Sequence, residues 1–257
     1  MAHEIDLSKY EIRTDMIVDE VEKNKYKCMV KNGIKISHAV LTKNNKYNKK
    51  PGNYITLEFN DVTDSENLKK ISKALKDELS KLIPKKNKTL VVGLGNIKST
   101  PDSLGPRVID EIIVTSYLYD MGIDVDDNYS NVSAIKPGVT GETGIETLSI
   151  IKGVVKEIKP DLMIIIDSLS TSSLDRLNKS IQINTSGVYP GSGVGNKRKE
   201  LSKKTLGIPV IIIGVPTVIS YNSEKSNLMV TPKEIDFLID KFVKIISYGI
   251  NRSLHNI

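Results

Sequence analysis

Three short, unbroken apolar runs constrain the fold of this chain more than any other feature. They cover Thr89–Leu94, Leu162–Ile166 and Pro209–Val215. Apolar runs of this length without polar alternation are typical of strands that are covered on both faces, and such strands usually lie parallel. A shorter strand is predicted at Val132–Ile135. The sequence therefore predicts an α/β fold with a central, mainly parallel sheet flanked by helices.

The segments around these runs have the apolar spacing of helices. After Ser65, apolar residues recur every three or four positions and stop before Pro84, which predicts an amphipathic helix. Further helices are predicted at Gly105–Tyr119, Gly144–Lys159 and Thr231–Tyr248.

The N-terminal part has a different pattern. Polar and apolar residues alternate over Lys25–Val40, around a predicted turn at Asn32-Gly33, and again over Asn53–Phe59. We predict a polar arm at residues 1–15 and a single α/β domain at residues 16–257, in which about residues 25–65 form a small β-rich appendage.

Composition excludes several classes of protein. The single Cys28 excludes an internal disulfide and a cysteine-rich metal cluster, and the three histidines lie far in sequence from the acidic motifs described below. The net charge of +6 is carried mainly by lysines in predicted loops, and no nucleic-acid recognition motif accompanies it. Apolar runs are too short for a membrane span, so we expect a cytoplasmic protein with no membrane partner.

Two aspartates follow two of the predicted strands. Asp102 comes six residues after Asn96 in a Gly-x-Gly-Asn motif, and Asp167 follows the second apolar run directly. The carboxyl ends of parallel strands share one sheet edge, so these side chains are expected to lie close together. Two carboxyls that share a proton supply both the base and the acid that peptide hydrolysis needs, and coupled pairs of this kind are typical of a low pH range.

Structural roles remain open for both aspartates. Asp102 could cap the helix predicted after it, and Asp167 could cap the loop Ser168–Ser173. A serine nucleophile is less favoured, because the chain has no Gly-x-Ser-x-Gly motif and no histidine that a motif places beside a serine.

Several long segments, in order, resemble the germination protease family of spore-forming bacteria. They are Asp6–Asp15, Gly52–Glu58, Val91–Asn96, Thr100–Pro106, Pro137–Thr147 and Pro190–Ser202. The resemblance implies an endopeptidase of the spore core that begins the degradation of small acid-soluble spore proteins during germination. It also implies a zymogen and a homotetramer that meets nucleic acid only indirectly, through its substrate.

The chain is also similar to hydrogenase maturation proteases, whose motif matches Asn96, Asp102 and Gly105 and whose second acid corresponds to Asp167. The third site residue of those proteins is a histidine that helps to bind a metal, and no motif here supplies one. We therefore predict Asp102 and Asp167 as the catalytic pair, with no metal and no cofactor.

The segment Gly191–Arg198 is the predicted substrate loop. It departs from the phosphate-binding pattern at Asn196, which stands where a glycine is needed. Its amides could hold an oxyanion, and Lys197 or Arg198 could meet an acidic side chain of the substrate. A solvated basic loop remains the alternative. The residues assigned to substrate binding are Gly191, Ser192, Gly193, Lys197 and Arg198.

The polar arm contains a segment that resembles a substrate. Family cleavage sites place an acid before the cut bond and a bulky apolar residue after it, and this form predicts self-cleavage between Asp15 and Met16. A tethered segment of this kind has a high effective concentration and could occlude the site until it is cut.

Two other functions stay open at this point. The positive charge is compatible with a noncatalytic module that binds spore proteins or nucleic acid. The Gly-x-Gly-Asn motif is compatible with a metal-linked maturation peptidase.

Overall fold

The computed structural model describes residues 11–22, 25–47, 49–85, 87–191, 198–222 and 227–257. The strands are β1 (Glu11–Arg13), β2 (Lys27–Lys31), β3 (Ile34–Leu41), β4 (Gly52–Glu58), β5 (Lys88–Gly93), β6 (Asn131–Ile135), β7 (Leu162–Ser170), β8 (Ser180–Asn184), β9 (Val210–Asn222) and β10 (Asn227–Val230). The helices are α1 (Ile17–Glu20), α2 (Ser65–Leu79), α3 (Leu104–Ile109), α4 (Ser116–Asp120), α5 (Thr140–Thr143), α6 (Thr147–Ile158), α7 (Lys203–Leu206) and α8 (Ile235–Leu254).

One mixed sheet organises the molecule. Its strand order is β2-β3-β4-β8-β9-β7-β5-β6, and β1 and β10 pair with the far end of β9. The pairings of β9 with β7, β7 with β5 and β5 with β6 are parallel, whereas β2, β3, β4 and β8 pair antiparallel. The α/β class is confirmed, and the parallel strands form one half of the sheet.

Both faces of the parallel half are covered, which explains why its strands are apolar without alternation. Along β7, Ile164 and Ile166 pack with α2, α3 and α8 on one face, and Met163 and Ile165 pack with α6 and α7 on the other. Asp167 follows in the parity of Ile165, so its side chain belongs to the α6 face.

The N-terminal strands extend this same sheet. Asn32 and Gly33 have φ values of 53° and 79°, as a two-residue hairpin turn between β2 and β3 requires. β4 then pairs with β8, and β8 pairs with β9. The predicted β-rich region is thus joined to the parallel strands through β8, a strand that the sequence analysis did not identify.

Several predicted boundaries differ from the structure. The strand expected at Pro209–Val215 continues to Asn222, and the helix expected at Thr231–Tyr248 covers Ile235–Leu254. The helix expected at Gly105–Tyr119 is divided into α3 and α4, because the Ile113 N–H donates to Asn251 Oδ1 and the Thr115 N–H donates to the Val132 carbonyl. The strand expected to end before Asp167 continues to Ser170, because β9 runs beside it and supplies hydrogen bonds along that length.

Candidate active site

Asp102 lies near the end of the loop after β5, and it is hydrogen-bonded to the beginning of the same loop. The strand ends at Gly93, and a single 3-10 turn at Thr100–Asp102 leads into α3. The main-chain N–H of Asn96 donates to Asp102 Oδ2 at 2.8 Å. The Gly-x-Gly-Asn motif therefore positions the carboxylate directly through its own backbone.

Asp167 lies within β7, one residue beyond the point at which β5 stops pairing with it. Gly93 is opposite Ile166 in the parallel ladder, and Asp167 is opposite Gly214 of β9. The side chain is only 4% exposed, and its Oδ1 accepts a hydrogen bond from the Ser168 N–H. Asp167 is thus a buried carboxyl, and it lies at the carboxyl edge of β5.

Both aspartates line one cavity of about 190 Å³. The walls come from the loop after β5, the end of β7, the start of α6 and the far half of β9. Polar groups near the two carboxyls in this lining include Ser99, Thr140, Thr147, Ser168, Ser170 and Thr217. The structure therefore brings together two carboxyls that are far apart in sequence.

Burial dominates the electrostatics of this pair. Burial raises the pKa of Asp102 to about 6, and the hydrogen bond from the Asn96 N–H opposes part of that change. Burial also raises the pKa of Asp167 well above its usual value, and the negative charges of Asp102 and Asp15 raise it further. The sequence predicts that the pair acts at low pH. In the structure the pair keeps a proton at a higher pH than that prediction implies.

The hydrogen bonds of these aspartates do not match the alternative capping roles. The carboxylate of Asp102 accepts from Asn96 in the preceding loop, and no side chain caps the N-terminus of α3. The carboxylate of Asp167 accepts from the adjacent residue Ser168, while residues further along the loop are bound by the carboxylate of Asp19.

The predicted substrate loop is described only at its ends. Gly191 and Arg198 both line the cavity that contains Asp102 and Asp167. Ser192, Gly193 and Lys197 lie outside the described residues.

The predicted cleavage junction lies at a sharp change in burial. Glu11–Arg13 is exposed, whereas Met16, Ile17 and Val18 are buried in a cluster with Leu169. Asp15 lines a second cavity, and Leu169 contributes to the walls of both this cavity and that of the two aspartates. The structure thus places the junction beside the aspartate pair rather than in the same cavity.

Two residues that hold this junction were missed by the sequence analysis. Ser170 donates its N–H and its hydroxyl to Asp15 Oδ2 at 2.9 and 3.0 Å. Gln182 donates from Nε2 to the Asp15 carbonyl at 3.1 Å and accepts at Oε1 from the Ile17 N–H at 2.7 Å. The polar and apolar alternation of Ser180–Asn184 would have identified the strand that carries Gln182.

Candidate metal ligands are sparse in the described ranges. No group of three or more histidine, cysteine, aspartate or glutamate side chains there is arranged to hold a metal ion. His38 lies on β3 and His255 follows α8, so neither belongs to the lining of the aspartate cavity.

Comparison with known proteins identifies the family. The family model described as germination protease matches residues 1–226. The chain belongs to the germination protease family. Germination proteases of Bacillus thuringiensis subsp. konkukian (strain 97-27) and Bacillus cereus (strain ATCC 10987 / NRS 248) are each 41% identical to it over 272 residues, which cover 97% of this chain and 72% of each relative. That of Bacillus mycoides (strain KBAB4) is 40% identical over the same length.

A solved structure also resembles this family member. The [NiFe] hydrogenase maturation protease HycI from Thermococcus kodakarensis KOD1 aligns with a TM-score of 0.41 and 19% identity, covering 69% of this chain and 98% of that chain.

Membership of the germination protease family makes this chain a peptidase and confirms the family resemblance found in its sequence. No helix in the described part of the chain combines the length and the apolar character that crossing a bilayer requires.

Proposed function

We propose that this chain is the endopeptidase that begins the degradation of small acid-soluble spore proteins when a spore germinates. The main support is that Asp102 and Asp167 line one cavity and that the charge of Asp102 acts on Asp167. Titratable pairs with strongly perturbed pKa values in a cleft are typical of catalytic sites. Family membership adds the peptidase activity.

In the proposed reaction, Asp102 is the base and Asp167 is the acid. Asp102 accepts a hydrogen bond from the Asn96 N–H, which favours its charged form, whereas Asp167 is fully buried and lies near the charges of Asp102 and Asp15, which favour its neutral form. Ionised Asp102 takes a proton from water as the water oxygen bonds to the carbonyl carbon. Asp167 then gives its proton to the leaving nitrogen as the carbon–nitrogen bond breaks. One proton is taken and one is given, and later exchange with water restores the starting state.

The cavity walls supply the means to position a substrate. Arg198 brings a positive charge and Gly191 brings backbone close to the two carboxyls. We assign the whole loop Gly191–Arg198 to substrate binding, and we propose that backbone amides of this loop stabilise the developing oxyanion.

The arm at residues 1–15 is proposed to be a propeptide that is removed by self-cleavage at Asp15–Met16. The change from exposed to buried residues at this position supports the boundary. The spore core as location and the homotetramer as assembly are proposed from the family resemblance.

The test uses purified protein and a recombinant small acid-soluble spore protein. Asp102→Asn and Asp167→Asn are expected to reduce cleavage by about 10²–10⁴-fold, because each removes one of the two proton-transfer groups. Asp110→Asn is the matched control, since Asp110 is an exposed partner of Lys136 outside the cavity lining. Mass spectrometry of the fragments identifies the cut bonds.

Each outcome decides between the candidate functions. Unchanged cleavage by either site variant overturns the aspartate pair. Loss of cleavage by the wild-type protein in a chelator favours the metal-linked peptidase. Binding of the spore protein without any cleavage, by protein lacking residues 1–15, favours the noncatalytic module.

A further inference from the structure

The acidic side chain at the predicted junction is held by β7 itself. Both hydrogen-bond donors of Ser170 reach the same carboxylate oxygen of Asp15. The main chain pairs there as well, because the Asp15 N–H donates to the Ser170 carbonyl at 3.0 Å. Ser170 has no exposed surface and Asp15 is partly buried, so these hydrogen bonds to a charged group are partly shielded from water.

The position of Ser170 connects this contact with the aspartate pair. It lies three residues after Asp167 on the same strand and lines the cavity that contains Asp102 and Asp167. The charge of Asp15, bound at Ser170, is close enough to raise the pKa of Asp167. An acid bound at Ser170 therefore lies next to the proposed chemistry.

Gln182 binds the same junction in a different way. Its amide bridges the Asp15 carbonyl and the Ile17 N–H, so it holds main chain on both sides of the Asp15–Met16 bond. Gln182 is buried on β8. Its bonds depend on the backbone alone and do not distinguish one side chain at position 15 from another.

We propose that Ser170 is the specificity residue that selects an acidic side chain before the cleaved bond, and that Gln182 is a positioning residue for the adjacent main chain. This inference rests on the proposed function, in which Asp15–Met16 is the bond that is cut. The sequence favoured Lys197 or Arg198 for recognition of the acid. The contacts of Asp15 favour Ser170 instead.

The first experiment measures self-cleavage of the purified full chain by mass spectrometry of its N-terminus. Ser170→Ala is expected to slow cleavage by about tenfold to a hundredfold, because it removes one of the two hydrogen bonds that Ser170 donates to the Asp15 carboxylate. In an Asp15→Ala chain the same substitution is expected to change the rate by less than about threefold, since the carboxylate is already absent.

Gln182→Ala is the matched control. It is expected to slow cleavage by a similar factor whether residue 15 is aspartate or alanine, because its bonds are to main chain. An equal effect of Ser170→Ala in both backgrounds overturns the selection role. Faster cleavage by Ser170→Ala overturns it as well. So does a result in which Arg198→Ala, and not Ser170→Ala, slows cleavage only when residue 15 is aspartate.

A second measurement does not need catalysis. In an Asp102→Asn chain, trypsin cutting after the exposed Arg13 reports release of the segment that Ser170 holds. Ser170→Ala and Asp15→Ala are each expected to speed this cutting, and the double variant to be no faster than the faster single one. Additive effects contradict the Ser170–Asp15 contact. Absence of self-cleavage in the wild type, with this coupling intact, counts against the proposed function alone.

Discussion

A Cβ atom on Gly95 would lie 2.0 Å from the main-chain oxygen of Asp102. Gly95 also has a φ of +119°, a conformation that residues with a side chain rarely adopt. Gly95→Ala is therefore expected to displace the loop that carries Asp102, lowering the free energy of unfolding by about 2 kcal/mol or more and cleavage by about tenfold or more. Denaturant unfolding and a cleavage assay measure the two effects.

Gly153→Ala is the matched control for this prediction. Gly153 lies inside α6, and a Cβ there meets no atom within 4 Å. It is expected to add about 0.5–1 kcal/mol of stability and to leave cleavage unchanged, because alanine favours the helix. Unchanged stability and cleavage in Gly95→Ala would show that the loop does not require glycine at position 95.

The pH dependence of cleavage follows from the raised pKa values of the two aspartates. Ionised Asp102 is needed as the base, and its pKa is raised by burial to about 6. The rate at low substrate concentration is expected to fall as the pH decreases through about 6, with the slope of a single proton. A pH series of initial rates tests this, with circular dichroism to verify that the fold persists. A midpoint near the ordinary value of 3.8 would contradict the burial effect.

Asp102→Asn is expected to gain stability while it loses activity. The pKa of Asp102 is about 6 in the folded protein and 3.8 in its ordinary environment. The stability that this difference contributes is therefore fully present below pH 3.8 and is lost as the pH rises through about 6. The neutral variant avoids this loss and should be about 1–3 kcal/mol more stable at pH 7, with no advantage below pH 3.8. Urea unfolding of both proteins across this range measures the difference. A variant that is less stable at pH 7 would show that the ionised carboxylate stabilises the fold.

Asp19→Asn is expected to have the opposite effect on stability. Burial alone would raise the pKa of Asp19, but hydrogen bonds from Thr14, Ser172 and Thr171 and the charge of Arg176 outweigh it, so the pKa is lowered. Ionised Asp19 therefore stabilises the folded protein above pH 3.8, and this stabilisation is lost as the pH falls through the lowered pKa of Asp19 in the folded state. The variant should lose about 2–4 kcal/mol at pH 7, because the partly buried charge of Arg176 then has one charged partner fewer.

The control for Asp19→Asn is Glu66→Gln. Glu66 pairs with Lys70 on the surface of α2, and its side chain is 74% exposed. No measurable change in Tm is expected there, since solvent screens such a pair. A similar loss of Tm in both variants would remove the special role of the buried pair.

The sequence alone predicts the parts of the site that are set by residues close to one another in the chain. The carboxyl end of β5 and the place of Asp167 beside it follow from unbroken apolar runs, and the motif around Asn96 places Asp102 by a hydrogen bond across only six residues. The two aspartates could be paired in advance because neighbouring parallel strands share one edge.

The contacts of the junction could not be predicted in the same way. Ser170 and Gln182 meet Asp15 across 155 and 167 residues of chain. Their meeting depends on β8 lying between β4 and β9 and on β7 continuing past Asp167, and both features come from strand pairing rather than from local composition. The break between α3 and α4 has the same origin, since it depends on bonds to Asn251 and Val132.

The pairing of β1 with β9 separates cleavage of the arm from release of the arm. Glu11–Arg13 is hydrogen-bonded to Ser220–Asn222, and Lys49 Nζ donates to the Thr14 carbonyl at 3.0 Å. Under the proposed function, a fragment severed after Asp15 stays attached as a strand until this ladder opens. The onset of activity would then show a lag set by dissociation of the fragment, and excess synthetic fragment would act as a competitive inhibitor of the mature enzyme.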